Sequence, residues 1–197
     1  MCLYHLPKTN FHHEKDNPVS KVFWGRVNLE SATSMFYYRK GGKVQHLIHQ
    51  LKYKGYQEIG IFLGELFGSE LKESNDFKSI DLIIPIPLHR KKLEKRGFNQ
   101  SEVFAAGLGK SMNVEVDTKS VIRTVATSTQ TRKSRYKRWE NVNEIFQLKN
   151  PEKLAGKHVL VADDVITTGA TMEACIQVIQ QSPGVKVSVV SIGFASH

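Results

Sequence analysis

The sequence predicts an α/β domain built on a mostly parallel, twisted sheet with helices on both faces. Short apolar runs alternate along the chain with amphipathic helical segments, which is the pattern of such folds. The run VLVA at residues 159–162 has the composition of a strand buried on both faces of a parallel sheet. With 197 residues, 40% of them hydrophobic, the chain is long enough for one α/β domain with a proper core, and we do not expect a second independent domain. We expect residues 1–30 to form an N-terminal segment and residues 31–197 to form the domain.

Each element follows from local signals, either apolar periodicity or turn residues. Asn99 is a natural N-cap, and Glu102 three residues later predicts a capping box. The final strand follows the Pro183–Gly184 turn. In chain order we predict a strand at 34–38, helices at 43–52 and 57–72, a strand at 82–84, a helix after Asn99, and strands at 120–124, 159–162 and 186–192.

Residues 159–171 read VLVADDVITTGAT and combine a strand with chemistry-bearing side chains. The strand places Asp163 and Asp164 at the carboxyl edge of the sheet, where ligands of such folds bind. A helix follows, with its inner face predicted from the spacing of its apolar residues. Between them lies a run of small residues, which we call the phosphate loop because its backbone N–H groups and the helix N-terminus favour an anion: Thr167, Thr168, Gly169, Ala170 and Thr171. Carboxylates beside a phosphate site match a sugar phosphate, because the sugar hydroxyls can donate hydrogen bonds to the carboxylates while the phosphate lies in the loop. Mg²⁺ is compatible with such a site.

This run resembles the signature of type I phosphoribosyltransferases, which use 5-phosphoribosyl-1-pyrophosphate (PRPP). The resemblance implies a type I phosphoribosyltransferase-like fold. It also implies that Asp163 and Asp164 accept hydrogen bonds from the ribose hydroxyls, with Mg²⁺ held indirectly through them, and that the phosphate loop holds the 5′-phosphate. The alternative is a strand, turn and helix in some other α/β protein.

Three further segments resemble the ComF family, which is named for its link to bacterial DNA uptake. They read LKYKGY at residues 51–56, DLIIPIPLHRKKLEKRGFNQ at 81–100 and TRKSRYKRWENV at 131–142. The resemblance implies a pyrophosphate loop at residues 85–89 and a mobile flap at 131–142. The implied pyrophosphate-binding residues are Pro87, Leu88, His89, Arg90, Lys91 and Arg96, and the implied flap residues are Arg132, Lys133 and Arg135.

The positive charge is concentrated rather than spread. Lys and Arg number 28 against 19 Asp and Glu, a formal net charge of +9. Residues 90–96 and 132–138 together hold ten basic residues and one acidic residue, so they account for the whole surplus. Two such basic segments are suited to binding a polyanion such as PRPP. Two alternatives remain: solvated surface loops, or a single-stranded nucleic-acid surface in which Tyr136 and Trp139 stack on bases.

Two features depart from the families that the chain resembles. Many ComF proteins begin with a zinc ribbon, whereas the chain has only Cys2 and Cys175. Residues 1–30 are then a remnant of a lost ribbon, a hood over the ligand, or a segment that simply covers the sheet. Enzymes that act on 6-oxopurines place an acid where this chain has Thr167, so a general base is missing at that position.

We therefore expect a PRPP-binding transferase of the glycosyltransferase class that uses Mg²⁺ and releases pyrophosphate on transfer to an unknown acceptor. The alternatives are a non-catalytic PRPP or nucleotide sensor, and a DNA-uptake accessory that binds single-stranded DNA or a helicase partner. No apolar stretch reaches the ~18 residues that span a bilayer, and no signal-peptide pattern is present, so we expect a cytoplasmic protein. A homodimer is left open.

Overall fold

The computed structural model describes residues 5–124 and 145–195. A short 3₁₀ turn at Phe11–His13 precedes the first helix. In chain order the elements are α1 (Pro18–Lys21), β1 (Ala32–Tyr37), α2 (Lys43–Tyr53), α3 (Gln57–Glu73), β2 (Leu82–Pro85), α4 (Arg90–Arg96), α5 (Gln100–Met112), β3 (Glu115–Val116), β4 (Val121–Arg123), β5 (Phe146–Leu148), α6 (Pro151–Leu154), β6 (His158–Ile166), α7 (Ala170–Ile179) and β7 (Lys186–Phe194).

Five strands form the main sheet in the order β1-β7-β6-β2-β3, and every neighbouring pair is parallel. The predicted α/β fold with a parallel sheet is confirmed. Central β6 is buried on both faces over most of its length, which explains why its sequence is a continuous apolar run rather than an alternating one.

Helices cover both faces of this sheet. One face packs against α2, α3 and α5, with Ile83, Leu160 and Val190 pointing into that core. The other face packs against α7 and the N-terminal segment, with Val161 and Val189 in that core. Adjacent residues of each strand thus enter different cores, as the strand period requires.

The strand predicted at 120–124 is present as β4, but it stands apart from the main sheet. It pairs antiparallel with β5 in a separate two-stranded sheet, with Val121 opposite Leu148 and Arg123 opposite Phe146. β6 extends four residues beyond the predicted strand end at residue 162, because Asp163 and Val165 continue the pairing with β7.

The basic segment 90–96 is the helix α4, so the alternative of a surface loop is wrong for this segment. His89 caps it by accepting a hydrogen bond from Lys91 N at 3.2 Å, Arg90 pairs with Glu94 one turn later, and Gly97 ends it at φ 83°. Lys and Arg are good helix formers, so a basic run is compatible with a helix that buries none of its residues.

Asn99 caps α5 as predicted, by accepting a hydrogen bond from Ser101 N at 3.1 Å. The predicted capping box is incomplete, because Glu102 accepts from the side chain of Asn99 and not from its backbone N–H. Asn99 instead donates to Ile86 O at 3.0 Å, so its amide ties α5 to the loop after β2.

The N-terminal segment lies against β1 and the core beneath α7. Asn17 Nδ2 donates to Ala32 O at 2.7 Å, and Phe11, Val19 and Phe23 are buried in the same core as α7. Its description as a hood or as a ribbon remnant, and the boundary at residue 30, stay predictions. Within residues 5–124 and 145–195, no helix has the length and apolar character that crossing a membrane requires.

Candidate functional site

The two acidic residues near the end of β6 are held by different helices. Ser101 Oγ, in the first turn of α5, donates to Asp163 Oδ1 at 2.8 Å, and the backbone N–H of Asp164 donates to the same oxygen at 2.8 Å. Lys52 Nζ, at the end of α2, lies 2.6 Å from Asp164 Oδ2. Two hydrogen bonds therefore hold the Asp163 carboxylate, whereas the Asp164 carboxylate is held by an ion pair without a hydrogen bond to its Oδ2.

Burial and the neighbouring charge of Asp164 raise the pKa of Asp163 to about 7. Hydrogen bonds from Ser101 and the Asp164 backbone, and the charge of Lys52, act in the opposite direction without cancelling this increase. Asp163 therefore holds a proton more readily than an isolated carboxyl group does. Its charge responds readily to any ligand that donates hydrogen bonds or carries a cation.

The phosphate loop follows the carboxylates on the same strand. Thr167 and Thr168 are exposed, Gly169 is buried at φ 72°, and Ala170 and Thr171 form the first turn of α7 rather than free loop. This ten-residue helix directs its N-terminus to the surface beside the carboxylates, where its dipole and unpaired N–H groups favour an anion.

The N-terminal segment supports the phosphate loop from below. A Cβ at Gly169 would lie 2.7 Å from Val22 Cγ1 and 3.0 Å from Phe23 Cε1, so only glycine fits against them. Arg26 Nη1 donates to Thr168 O at 2.8 Å, and its other terminal nitrogen pairs with Glu173 in the first turn of α7. The loop is thus braced by residues far away in sequence.

The predicted pyrophosphate loop leaves the sheet beside the carboxylates. Pro85 pairs with Ala162, the residue before Asp163, and Ile86 N donates to Ala162 O at 2.9 Å. The structure therefore brings the predicted pyrophosphate loop, the carboxylates and the phosphate loop to one edge of the sheet. In that loop, the side chains of Pro87, Leu88 and His89 are half-buried.

The basic residues that follow differ in how firmly they are held. The side chain of Arg90 is 88% exposed and Lys91 is also exposed. Arg96 is half-buried, donates to Gln100 and lies 5.2 Å from the centre of the Tyr53 ring, so it is the best fixed of the three. The flap candidates Arg132, Lys133 and Arg135 lie outside the described residues.

Three residues that contact this site were missed from the sequence: Lys52, Ser101 and Arg26. Lys52 lies within the LKYKGY segment that carries the ComF resemblance, which is the only signal that pointed toward it. Nothing in the local sequence of Ser101 or Arg26 separates them from ordinary cap and surface residues.

Carboxylate oxygens are the donors that Mg²⁺ prefers, so Asp163 and Asp164 are suitable in type. They are too few to enclose an ion, and residues 5–124 and 145–195 contain no group of three or more His, Cys, Asp or Glu placed to hold one. A metal at this edge of the sheet would therefore take most of its ligands from the bound molecule and water.

Comparison with known proteins agrees with this architecture. The sequence matches the family described as "Phosphoribosyl transferase domain" over residues 93–194, which run from within α4 to the end of β7. The chain is 34% identical over 146 residues to DNA utilization protein YhgH of Shigella flexneri, an alignment that covers 73% of this chain and 63% of that protein. It is 30% identical over 104 residues to Competence protein F of Haemophilus influenzae, covering 52% of this chain and 45% of that protein.

Among solved structures, adenine phosphoribosyltransferase from Leishmania tarentolae aligns with a TM-score of 0.48 and 9% identity, over 82% of this chain and 91% of that chain. The chain spans about 63% of the length of the YhgH relatives it matches. The family match covers more than half of the chain and includes both the carboxylate pair and the phosphate loop. The chain therefore belongs to the phosphoribosyltransferase domain family and, within it, to the ComF family.

Proposed function

We propose that the chain binds PRPP and transfers its phosphoribosyl group to an acceptor, with release of pyrophosphate. The observation that carries this proposal is the position of the phosphate loop, which follows the carboxylate pair on one strand and ends at the N-terminus of α7. A ribose 5-phosphate needs these two kinds of partner, hydrogen-bond acceptors for its hydroxyls and N–H donors for its phosphate, side by side.

In this proposal Asp163 and Asp164 accept hydrogen bonds from the ribose hydroxyls. The exposed residues Thr167 and Thr168 and the N-terminus of α7 hold the 5′-phosphate. The diphosphate lies toward α4, where the side chains available to it are Pro87, Leu88, His89, Arg90, Lys91 and Arg96. Support comes from the common sheet edge on which all three groups lie.

The reaction breaks the bond between the anomeric carbon and the diphosphate oxygen, and the electron pair leaves with pyrophosphate. The acceptor forms the new bond to that carbon and gives up a proton. Positive charge develops on the ribose as the bond breaks, and the cations of α4 stabilise the negative charge that accumulates on pyrophosphate. Thr167 offers no carboxylate to take the acceptor's proton, so the acceptor loses it elsewhere.

Mg²⁺ bound with PRPP would neutralise the diphosphate and make it a better leaving group. Asp163 and Asp164 would orient the ion through the ribose hydroxyls rather than enclose it.

Thermal unfolding with PRPP and Mg²⁺ tests the binding step. PRPP at a hundred times its dissociation constant stabilises a protein by about 2.7 kcal/mol, which raises Tm by several degrees in a domain of this size. We expect that shift in the wild type and in Asp76→Asn, which lies before β2, and its loss in the double variant Asp163→Asn, Asp164→Asn. Absence of a wild-type shift would contradict the proposal.

Pyrophosphate release in the presence of candidate acceptors then distinguishes the enzyme from a sensor. Release that depends on an acceptor and disappears in the double variant supports transfer. A PRPP-induced shift without release, across nucleobases and other amine acceptors, would favour a non-catalytic PRPP or nucleotide sensor on the same fold.

A second candidate is a DNA-uptake accessory that binds single-stranded DNA or a helicase partner. Two observations favour it: the names of the relatives and the exposed cations of α4. Its affinity for single strands should fall steeply with salt and with removal of charge at Arg90, Lys91, Lys92 and Lys95. Unchanged binding by that quadruple glutamine variant would contradict a role for α4. A cytoplasmic location and a homodimer also stay predictions.

A further inference from the structure

We propose that the groove between α2 and α3 is the contact surface of a homodimer, in which a second copy of this chain is related to the first by a two-fold axis along the groove. The groove has a volume of about 640 Å³ and is lined by α2 and the first half of α3. Leu47 and Leu63 line it as buried residues, and Tyr56 and Phe62 line it as exposed ones. This inference does not rest on the proposed function, because the residues that line the groove are not those assigned to PRPP.

Exposed apolar side chains are concentrated beside this groove. Within residues 5–124 and 145–195, six large apolar side chains are exposed, and four of them lie between residues 53 and 62: Tyr53, Tyr56, Ile61 and Phe62. Single exposed apolar side chains are ordinary on a protein surface, whereas a cluster of them marks an interaction site. The groove and its exposed edge therefore form a surface that a partner covers.

The two helices that flank the groove carry opposite charge. α2 contains two lysines and no acidic residue, whereas α3 contains four glutamates and one lysine. Of these glutamates, Glu65 and Glu70 already pair with lysines elsewhere in the chain. Glu58, on the groove, and Lys54, directly after α2, form no ion pair with any other described residue. A partner with the same two helices supplies the opposite charge for both residues.

These charges select the direction of the two-fold axis. An axis along the groove places α2 of each copy on α3 of the other, so that the basic helix meets the acidic helix. An axis across the groove would place each helix on its own counterpart, so that like charges meet. The first arrangement is therefore the favoured one.

The same arrangement brings particular side chains together. Residues 54–56 join the end of α2 to the start of α3, so Lys54 and Glu58 lie at the same end of the groove. Rotation about the groove then brings Lys54 of one copy close to Glu58 of the other. Phe62, which is 52% exposed on the wall of the groove, packs against Phe62 of the other copy. A second copy thus supplies both the apolar contact and the matching charges.

Sedimentation velocity of the full chain from about 1 to about 100 μM tests the inference, because stable interfaces have dissociation constants of micromolar or below. We expect a dimer fraction that increases with concentration. Phe62→Glu should weaken dimerisation by about tenfold or more, since it places two carboxylates together in an apolar contact. Trp24→Glu is the matched control, because Trp24 is similarly exposed but belongs to the segment on the opposite face of the sheet, and its effect should be less than about threefold.

Charge reversal tests the direction of the axis. Lys54→Glu and Glu58→Lys each place like charges opposite one another, so each should weaken the dimer by about threefold or more. The double variant exchanges the two charges and should recover most of the wild-type affinity. Both side chains are exposed, so these changes leave the core intact.

Three results would overturn the inference. They are a wild type that stays monomeric over the whole range, a dimer that Phe62→Glu does not weaken, and a double variant that dimerises no better than the single variants. None of these results bears on PRPP binding, which is measured separately.

Discussion

Ser101 Oγ donates to Asp163 Oδ1 over 2.8 Å, which joins the first turn of α5 directly to the carboxylate pair. Two residues earlier, Asn99 donates to Ile86 O at the start of the predicted pyrophosphate loop. One helix N-terminus therefore fixes both that loop and the acidic end of β6. Any movement of α5 would change the distance between the two halves of the proposed site.

The Ser101→Ala substitution should weaken PRPP binding. The hydroxyl is fully buried, and it stabilises the charged form of Asp163, so its loss favours the protonated carboxyl and frees its orientation. One hydrogen bond to a charged group is worth about 1.5–3 kcal/mol, which corresponds to a loss of affinity of about tenfold or more. Calorimetric titration with PRPP and Mg²⁺ measures this. Ser111→Ala, at the far end of α5, is the matched control, and equal affinities in the two variants would contradict the role of Ser101.

Asp163 should also make stability depend on pH. Its carboxyl has a pKa raised to about 7 in the folded chain by burial and by Asp164, against an ordinary value of 3.8. Between these two values the folded chain binds more protons than the unfolded chain, so the contribution of Asp163 to stability falls as pH rises. Asp163→Asn removes this titration.

Urea unfolding of both proteins from about pH 4 to about pH 7.5 provides the measurement. The free energy of unfolding of Asp163→Asn, relative to the wild type, should increase with pH through that window and level off above it. Taking the difference cancels the contributions of His12 and His158, whose pKa values are lowered by burial and which titrate in both proteins. A difference that stays constant with pH would mean that folding does not raise the pKa of Asp163.

Gly169→Ala should destabilise the protein more than another glycine substitution with the same backbone conformation. Gly169 and Gly184 have φ of 72° and 68°, so alanine is strained at both. At Gly184 the nearest atoms to a new Cβ are 3.7 Å away, whereas at Gly169 the Cβ would overlap Val22 and Phe23. We expect a cost of about 1 kcal/mol at Gly184 and about 2–4 kcal/mol at Gly169, measured by urea unfolding. Equal costs would show that the N-terminal segment yields to the new side chain.

Arg26→Met should weaken binding of ribose 5-phosphate, because Arg26 holds Thr168 O in the phosphate loop. Glu173→Gln removes the charge that Arg26 pairs with but leaves its hydrogen bond to Thr168 O, so its effect should be smaller. A loss of about three- to tenfold for Arg26→Met corresponds to one hydrogen bond. Calorimetry measures both affinities. Weaker binding by Glu173→Gln than by Arg26→Met would contradict this prediction.

Local sequence patterns predicted the helices and strands correctly where residues that are close in sequence determine the structure. The apolar stripe of α2 and the cap at Asn99 are both found where the sequence places them. Errors arose where tertiary contacts decide. β6 continues past residue 162 because β7 lies beside it. The error at α4 has a different origin, because none of its residues is buried within the described part of the chain and its composition is compatible with a helix.

The candidate site shows the same difference between residues that are adjacent in sequence and residues that are remote. Asp163, Asp164 and the phosphate loop are adjacent in sequence, so one motif predicted their proximity. Lys52 and Ser101 reach the same carboxylates from α2 and α5, and the sequence carries no pattern for a contact between remote helices and a strand end. Such contacts are determined by how the helices pack on the sheet.

The strand order has a consequence for how the protein is made. β7 lies between β1 and β6, so β1 cannot pair within the main sheet until β7, at Lys186–Phe194, has been synthesised. Contacts between residues that are so far apart in sequence form late in folding, and the strand edges stay exposed until these contacts form. A nascent chain released before Lys186 would carry an unpaired edge on β1 and another on β6. Quality-control proteases would encounter it as an aggregation-prone fragment, with its acidic residues and phosphate loop already synthesised but without the strand that aligns them.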